Sequence, residues 1–464
     1  MLTIAPSPPL RGALSLPGDK SLSHRAALFA ALAEGESRIE NFLVAGVTRR
    51  MLDALTALGV SWELAGTTLT VHGRGLTALR TPPAALDCGN SATTLRLLAG
   101  AIAAAGIPAV LDGSPGLRRR PMDRIVGPLR QMGINVEAVD GKFAPLTFRE
   151  TAKWRRPEDV HAQLPISNLQ SPITFSLPVA SAQVKTCLLL AALAANAPVT
   201  ISEPGPSRDH TERMLAGMGA QIDRRQETGD ASPEQEYITR NPQYITTLTP
   251  PPLRSLSPLH MTLPGDFSSA AFLIAAALIT PGSEITLRGV GLNPTRTGLL
   301  DALAQMGAQI SITNHQSHHN EPSGDLTICH SHLRAAAISG ETVVRMIDEF
   351  PVFAVAAAYA QGETIVRDAG ELRHKESDRI TELVELLSAI GVEAQELRDG
   401  FRVRGGTRPR GGILNPQGDH RLAMSLAVAG LAASAPLTIQ HPDIIHESFP
   451  EFVPSLEFLG AHID

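Results

Sequence analysis

Five short stretches crowd cations, hydroxyls and glycines directly ahead of apolar helical runs. They are "PGDKSLSHR" (17–25), "DCGNSATTLR" (87–96), "GSPGLRRRP" (113–121), "LRHKESDR" (372–379) and "GDHRLAMS" (418–425). A helix start offers free N–H groups and the positive end of the dipole, which favour an anion. Any one of these stretches reads as a helix cap with a solvated charge. Five of them, spread over both halves of the chain, point to anion sites. Lys20, Arg25, Arg120, Lys375, Arg379 and Arg421 suffice for a ligand with two phosphate or carboxylate groups, arginine supplying bidentate clamps. Carboxylates sit among them: Asp348 and Glu349 in "MIDEFP", and Glu376 between Lys375 and Arg379. These fit either a salt-bridge network or general acid–base work. The apolar run "FPVFAVAAAYA" favours the second, because it would bury its own start unless a cleft opens there.

The elements that must position these residues repeat six times. "MLDALTALGVSWE", "IVGPLRQMGINVE", "ERMLAGMGAQID", "LLDALAQMGAQI", "LVELLSAIGVEA" and "FVPSLEFLGAHI" each read as an amphipathic helix, a capping glycine (Gly59, Gly133, Gly219, Gly307, Gly391, Gly460) and a strand. Upstream of each lies an Ala-rich apolar helix, from "RAALFAALAEG" to "LAMSLAVAGLAASAP", and then a β-branched strand such as "PAVLD" or "EITLR". The glycines recur every 69 to 88 residues, too far apart for a solenoid. Six small α/β modules, three in each of two domains, are expected, with the apolar helices buried inside. Two stretches break the rhythm. Residues 223–260 are polar and Pro-rich and read as a decorated hairpin running into the interdomain crossing, and "TNHQSHHNEPSGD" (313–325) reads as a hairpin tip.

The 464 residues exceed what one core ordinarily serves, and 43% hydrophobic content with 4% aromatics describes an Ala/Leu/Val-rich globular protein. A net charge of −6 without a long basic run gives a nucleic-acid surface no support. Cys88, Cys187 and Cys329 lack zinc or disulfide spacing, which fits unpaired thiols in a reducing compartment, the cytoplasm. No leader pattern and no run of about 18 apolar residues is found, so neither export nor a membrane is expected.

"LPGDKSLSHRAALFAALAEG", "GNSATTLRLLAG", "RRRPMDRIVGPLRQMG", "ASAQVKTCLLLAAL", "SRDHTERML", "MIDEFPVFAVAAA", "LRHKESDRI" and "GDHRLAMSLAVAG" resemble, in the same order and along nearly the whole chain, the 5-enolpyruvylshikimate-3-phosphate synthase family. The resemblance implies an α/β fold, a two-domain inverted α/β barrel of six βαβαββ modules with the active site in the cleft between domains. The domains would be 1–18 plus 264–464, and 19–263 with the polar insertion at about 223–260. It implies transfer of the enolpyruvyl group of phosphoenolpyruvate to the 5-hydroxyl of shikimate 3-phosphate, without metal or organic cofactor, by a monomer. Lys20, Ser21, Arg25, Ser181, Ala182, Gln183, Arg208, Asp348 and Lys375 would then hold shikimate 3-phosphate. Lys20, Asn90, Ala92, Thr93, Arg120, Gln183, Arg379 and Arg421 would hold phosphoenolpyruvate. Asp348 would take the hydroxyl proton, while Glu376 and Lys20 would protonate and then deprotonate the methylene/methyl carbon, the division between them being open.

Some positions depart from the family pattern. Ala92 stands where many members have glycine, and its methyl would narrow the phosphoenolpyruvate pocket, so tolerance to the bulkier inhibitor glyphosate is expected. Asp443 stands where some members have lysine, His374 where an apolar residue is common, and "VAGVTRR" lacks an acidic pair often found there. His315, His318 and His319 are poorly spaced for a metal and fit a solvated loop. Two other readings remain. A sister enolpyruvyl transferase acting on UDP-N-acetylglucosamine would ordinarily carry a cysteine in 113–121 and Lys-Asn in the first module, where this chain has no cysteine and Lys20-Ser21. A non-catalytic sugar-phosphate or RNA-end binding module would not need Asp348 and Glu376.

Overall fold

The computed structural model describes residues 1–149, 173–195, 198–227, 243–250 and 256–464. The chain separates into two compact units, one discontinuous (Met1–Asp19 with Pro264–Asp464) and one continuous (Lys20–Leu263). Each has its own apolar core.

Three modules build each unit. In the continuous unit, α1 (Lys20–Leu32) and α2 (Gly46–Ala57) belong to the first module. The second holds α3 (Ala92–Ala105), the short α4 (Pro115–Arg118) and α5 (Asp123–Gln131), and the third holds α6 (Ala182–Ala192) and α7 (His210–Gly217). In the discontinuous unit, α8 (Phe267–Ile279) and α9 (Gly298–Gln305) form the fourth. The short α10 (Glu341–Arg345), α11 (Phe350–Tyr359) and α12 (Arg379–Ala389) form the fifth, and α13 (His420–Gly430) and α14 (Phe452–Phe458) the sixth.

The sequence dictates both kinds of helix. The Ala-rich ones are apolar on every side and so must be interior; every residue of α8 is buried. The amphipathic ones end on the six repeated glycines, whose φ angles of 81° to 101° lie where a side chain would be strained.

Among the described residues the strands form five sheets of four and one of three. The second module gives the pattern: Leu86–Asp87 runs parallel to Ala109–Asp112, which pairs antiparallel with Phe143–Phe148, and that strand with Val136–Val139. Inward and outward residues alternate along Phe143–Phe148, as a half-buried strand requires. Three sheets recruit a strand from far along the chain. His260–Thr262 pairs with Glu34–Glu40, Arg11–Ser15 with Glu284–Gly291, and Leu2–Ile4 with Leu437–Ile439. The expected strand after Gly460 is reduced to a single bridge between Ile463 and Ile4, because Leu2–Ile4 already fills the place beside Leu437–Ile439. The two termini pair there: the Thr3 N–H donates to the Asp464 carbonyl at 2.7 Å and the Asp464 N–H to the Thr3 carbonyl at 2.9 Å.

Gln221–Glu227 and Gln243–Thr249 form the antiparallel ends of the expected hairpin; residues 228–242 and 251–255 of that insertion lie outside the described residues, as do 196 and 197 after α6. The second expected hairpin, Gln309–His318 with Glu321–Cys329, turns at His319 and Asn320, both with positive φ, the geometry of a two-residue hairpin loop. In the continuous unit α3 and α6 pack backbone to backbone: a Cβ on Gly100 would lie 2.4 Å from the Cys187 carbonyl oxygen. Only glycine permits that approach, and it aligns the two helix starts.

Candidate active site

In the continuous unit the predicted residues gather at three helix starts. Lys20 and Ser21 open α1, Ala92 and Thr93 open α3 behind the cap Ser91, and Ala182 and Gln183 open α6 behind Ser181. Arg25 is buried one turn into α1. Its Nε donates to Thr211 Oγ1 at 2.8 Å, Nη2 to Thr186 Oγ1 at 3.0 Å and Nη1 to the Ser21 carbonyl at 3.0 Å. It therefore ties α1 to α6 and α7. His24 Nδ1 donates to the Lys20 carbonyl at 2.7 Å, and burial pushes its imidazole down to about 4, so it stays neutral at pH 7. Asn90 is exposed and accepts from Ser114 Oγ at 3.1 Å. Ala92 is buried; Thr93 accepts from Gln183 Nε2 at 2.7 Å. Arg120 and Arg208 are half-buried.

Beneath these lies a buried ion cluster: Lys185 Nζ is 2.5 Å from Glu203 and 2.8 Å from Glu212. Burial alone would lower the Lys185 ammonium, but the two carboxylates outweigh it and raise it.

In the discontinuous unit the predicted cations converge on one carboxylate. Asp348 Oδ1 is 3.0 Å from Lys375 Nζ and 3.7 Å from Arg379 Nη1, and Asp348 Oδ2 is 3.9 Å from Arg421 Nη2. Arg379 is fixed from behind: Nε donates to Asp419 Oδ2 at 2.7 Å and Nη2 to Glu376 Oε2 at 2.7 Å. Its Nη1 is buried without a hydrogen-bond acceptor among the described residues. Burial would lower the guanidinium and raise the Asp419 carboxyl, yet their mutual attraction prevails in both, holding Arg379 up and Asp419 down. Asp419 also caps α13, accepting from the Arg421 N–H at 2.8 Å, and Arg421 Nη1 donates to the Asp348 carbonyl at 3.0 Å.

Three residues that the sequence reading did not single out, Asp419, Arg96 and Arg296, belong to these networks, as does Glu349, which it named beside Asp348. Asp419 carried a signal, an aspartate at the cap position of an apolar helix. Arg96 lies at the end of a quoted motif, one turn from Ala92. Glu349 accepts a short hydrogen bond from Ser268 Oγ, and buried Arg296 donates to that same Ser268 Oγ at 2.7 Å and to Asp19 Oδ2 at 3.0 Å. Nothing local marks Arg296. Asp443 and His374 are exposed.

Chemically, each unit offers groups that suit an anion: helix starts rich in hydroxyls in the continuous one, and rigid guanidinium groups beside the Asp348 carboxylate in the discontinuous one.

Comparison with known proteins agrees in kind. Residues 4–456 match the sequence model of the EPSP synthase (3-phosphoshikimate 1-carboxyvinyltransferase) family. A 3-phosphoshikimate 1-carboxyvinyltransferase of Roseiflexus sp. (strain RS-1) is 47% identical over 452 residues, 97% of each chain. That of Desulforudis audaxviator (strain MP104C) is 44% identical over 459 residues, 99% of each. Among solved structures, EPSP synthase from Acinetobacter baumannii superposes with a TM-score of 0.82 at 35% identity, over 100% of this chain and 99% of that one. The enolpyruvyl transferase NikO from Streptomyces tendae, 20% identical with a TM-score of 0.75 over 100% and 98% of the two chains, shares the fold.

Proposed function

The chain belongs to the EPSP synthase family, and from that premise we infer that it is a transferase of the shikimate pathway. It moves the enolpyruvyl (carboxyvinyl) group of phosphoenolpyruvate to the 5-hydroxyl of shikimate 3-phosphate and releases phosphate. The observation that carries the site reading is Arg379: locked by Asp419 and Glu376, it has an Nη1 that no acceptor among the described residues hydrogen-bonds, Asp348 Oδ1 standing 3.7 Å away.

The chemistry divides among the residues as follows. Arg120, Arg379 and Arg421, with Asn90, Ala92, Thr93, Gln183 and Lys20, hold phosphoenolpyruvate. Ser21, Arg25, Ser181, Ala182, Gln183, Arg208 and Lys375, with Lys20 and Asp348, hold shikimate 3-phosphate. Asp348 takes the proton of the 5-hydroxyl as its oxygen bonds to C2 of phosphoenolpyruvate. Glu376 and Lys20 deliver a proton to the methylene carbon, giving a tetrahedral intermediate. Loss of phosphate and of a methyl proton to the same pair restores the double bond. The cations neutralise the departing phosphate. The three unpaired cysteines support a cytoplasmic home, and the family resemblance supports a monomer. The Ala92 methyl supports tolerance to glyphosate.

The test is phosphate release from phosphoenolpyruvate without added metal, with either shikimate 3-phosphate or UDP-N-acetylglucosamine as acceptor. Release with the first alone is expected. Release with the nucleotide sugar alone overturns the acceptor, and silence with both overturns the enzyme.

A further inference from the structure

A hydrogen-bond relay crosses the starts of α3 and α6. Arg96 Nη1 donates to Gln183 Oε1 at 2.5 Å, and Arg96 Nη2 donates to the Pro121 carbonyl at 3.0 Å. Gln183 Nε2 in turn donates to Thr93 Oγ1 at 2.7 Å. A guanidinium has donors and no acceptor, so Gln183 must turn its amide oxygen toward Arg96. Its nitrogen is thereby committed to Thr93, whose oxygen receives that hydrogen. The Thr93 hydroxyl hydrogen must then point elsewhere, and among the described residues it meets no acceptor. The neighbouring hydroxyls are already engaged: Ser91 Oγ accepts from the Thr94 N–H at 3.1 Å and lies 2.9 Å from Thr94 Oγ1. Thr93 thus presents an O–H beside the free N–H groups of the α3 start.

We propose that Arg96 is a positioning residue that sets the polarity of Gln183, so that the Thr93 hydroxyl is offered as a donor to an anionic oxygen of phosphoenolpyruvate. The inference rests on the reading of Thr93 and Gln183 as phosphoenolpyruvate-binding residues. Without Arg96 the Gln183 amide is free to flip; its oxygen would then accept the Thr93 hydrogen and withdraw it from the ligand.

The experiment is steady-state kinetics of the full chain with phosphoenolpyruvate varied at saturating shikimate 3-phosphate, for Thr93→Val, Arg96→Met, Arg96→Lys and the Thr93→Val/Arg96→Met double variant. A lost hydrogen bond to a charged ligand raises KM for phosphoenolpyruvate about tenfold in Thr93→Val. Arg96→Met is expected to do much the same, with kcat changed less than KM. Because both remove one interaction, the double variant exceeds Arg96→Met by no more than about twofold. Arg96→Lys, which also only donates, restores most of the affinity. Losses that multiply in the double variant, to about a hundredfold, or a lysine variant as weak as the methionine one, overturn the role of Arg96. If Arg96→Met does not fold, Gln183→Leu with Thr93→Val completes the same cycle. Failure of the unmodified protein to turn over overturns instead the functional reading beneath it.

Discussion

Asp419 joins two arginines with one buried carboxylate: it is 2.7 Å from Arg379 Nε through Oδ2, while its Oδ1 accepts from the Arg421 backbone at 2.8 Å. A side chain from α12 and the first turn of α13 are thereby locked together. Asp419→Asn is expected to weaken both, raising KM for phosphoenolpyruvate about 10- to 100-fold, because the charge-assisted bonds become ordinary ones. Asp419 is held below the usual aspartate range, so its contribution to stability is present above that range and lost as pH falls through the lowered value. Denaturant titrations of the two proteins at neutral and at acid pH check this: the gap between them should narrow in acid.

Asp348 and Arg120 should fail in different ways. Asp348→Ala removes the proposed base and is expected to cost about 10²- to 10⁴-fold in kcat, while ligand binding by calorimetry persists. Arg120→Ala should chiefly raise KM for phosphoenolpyruvate. Unchanged turnover in the first would remove the base assignment.

Acid should also act through His24. Its imidazole is held at about 4 in the folded chain by burial, against about 6.5 when unfolded. Between those values the unfolded state binds a proton the folded state refuses, so stability falls as pH drops from about 6.5 toward about 4. Replacing His24 with asparagine should flatten that part of the stability curve measured by chemical denaturation.

The Lys185 cluster gives a folding test. Lys185→Met leaves buried Glu203 without its cation and buried Glu212 with only Arg224, 3.9 Å away, at a cost of about 3–5 kcal/mol. Substituting Lys185, Glu203 and Glu212 together by apolar residues of similar volume should recover most of that loss in a thermal unfolding series.

Ala92 is the first residue of α3 and is buried. Ala92→Gly should lower the glyphosate concentration that halves the rate while changing KM for phosphoenolpyruvate little. Equal inhibition of both proteins would sink the tolerance reading.

What was legible in the sequence was what local chemistry writes. The cap glycines and the Ala-rich helices identified six modules because each depends on a few adjacent residues. What escaped depends on distant partners. Ile463 makes one bridge instead of a strand because Leu2–Ile4, at the other end of the chain, pairs with Leu437–Ile439. Arg96 finds its meaning in Gln183, 87 positions on, and Asp419 in Arg379, 40 positions back. The cations around Asp348 were readable as types, since an anion site needs them, but which carboxylate would lock which guanidinium was not.

The pairing of Thr3 with Asp464 has a consequence for the order in which the molecule is made. The described strands of the continuous unit all lie within residues 20–263, whereas the discontinuous unit must wait for strands beyond Pro264 to pair with Leu2–Ile4 and Arg11–Ser15. A ribosome therefore releases one half ready to fold while the beginning of the other is held in reserve. Because Thr3 pairs directly with Asp464, linking these two segments through a short spacer and reopening the chain between Leu263 and Pro264 yields a circular permutant in which each half is an uninterrupted stretch. In that permutant the half built from Pro264 onward is completed first, and the sequence of assembly is reversed with the strand pairings of each half retained.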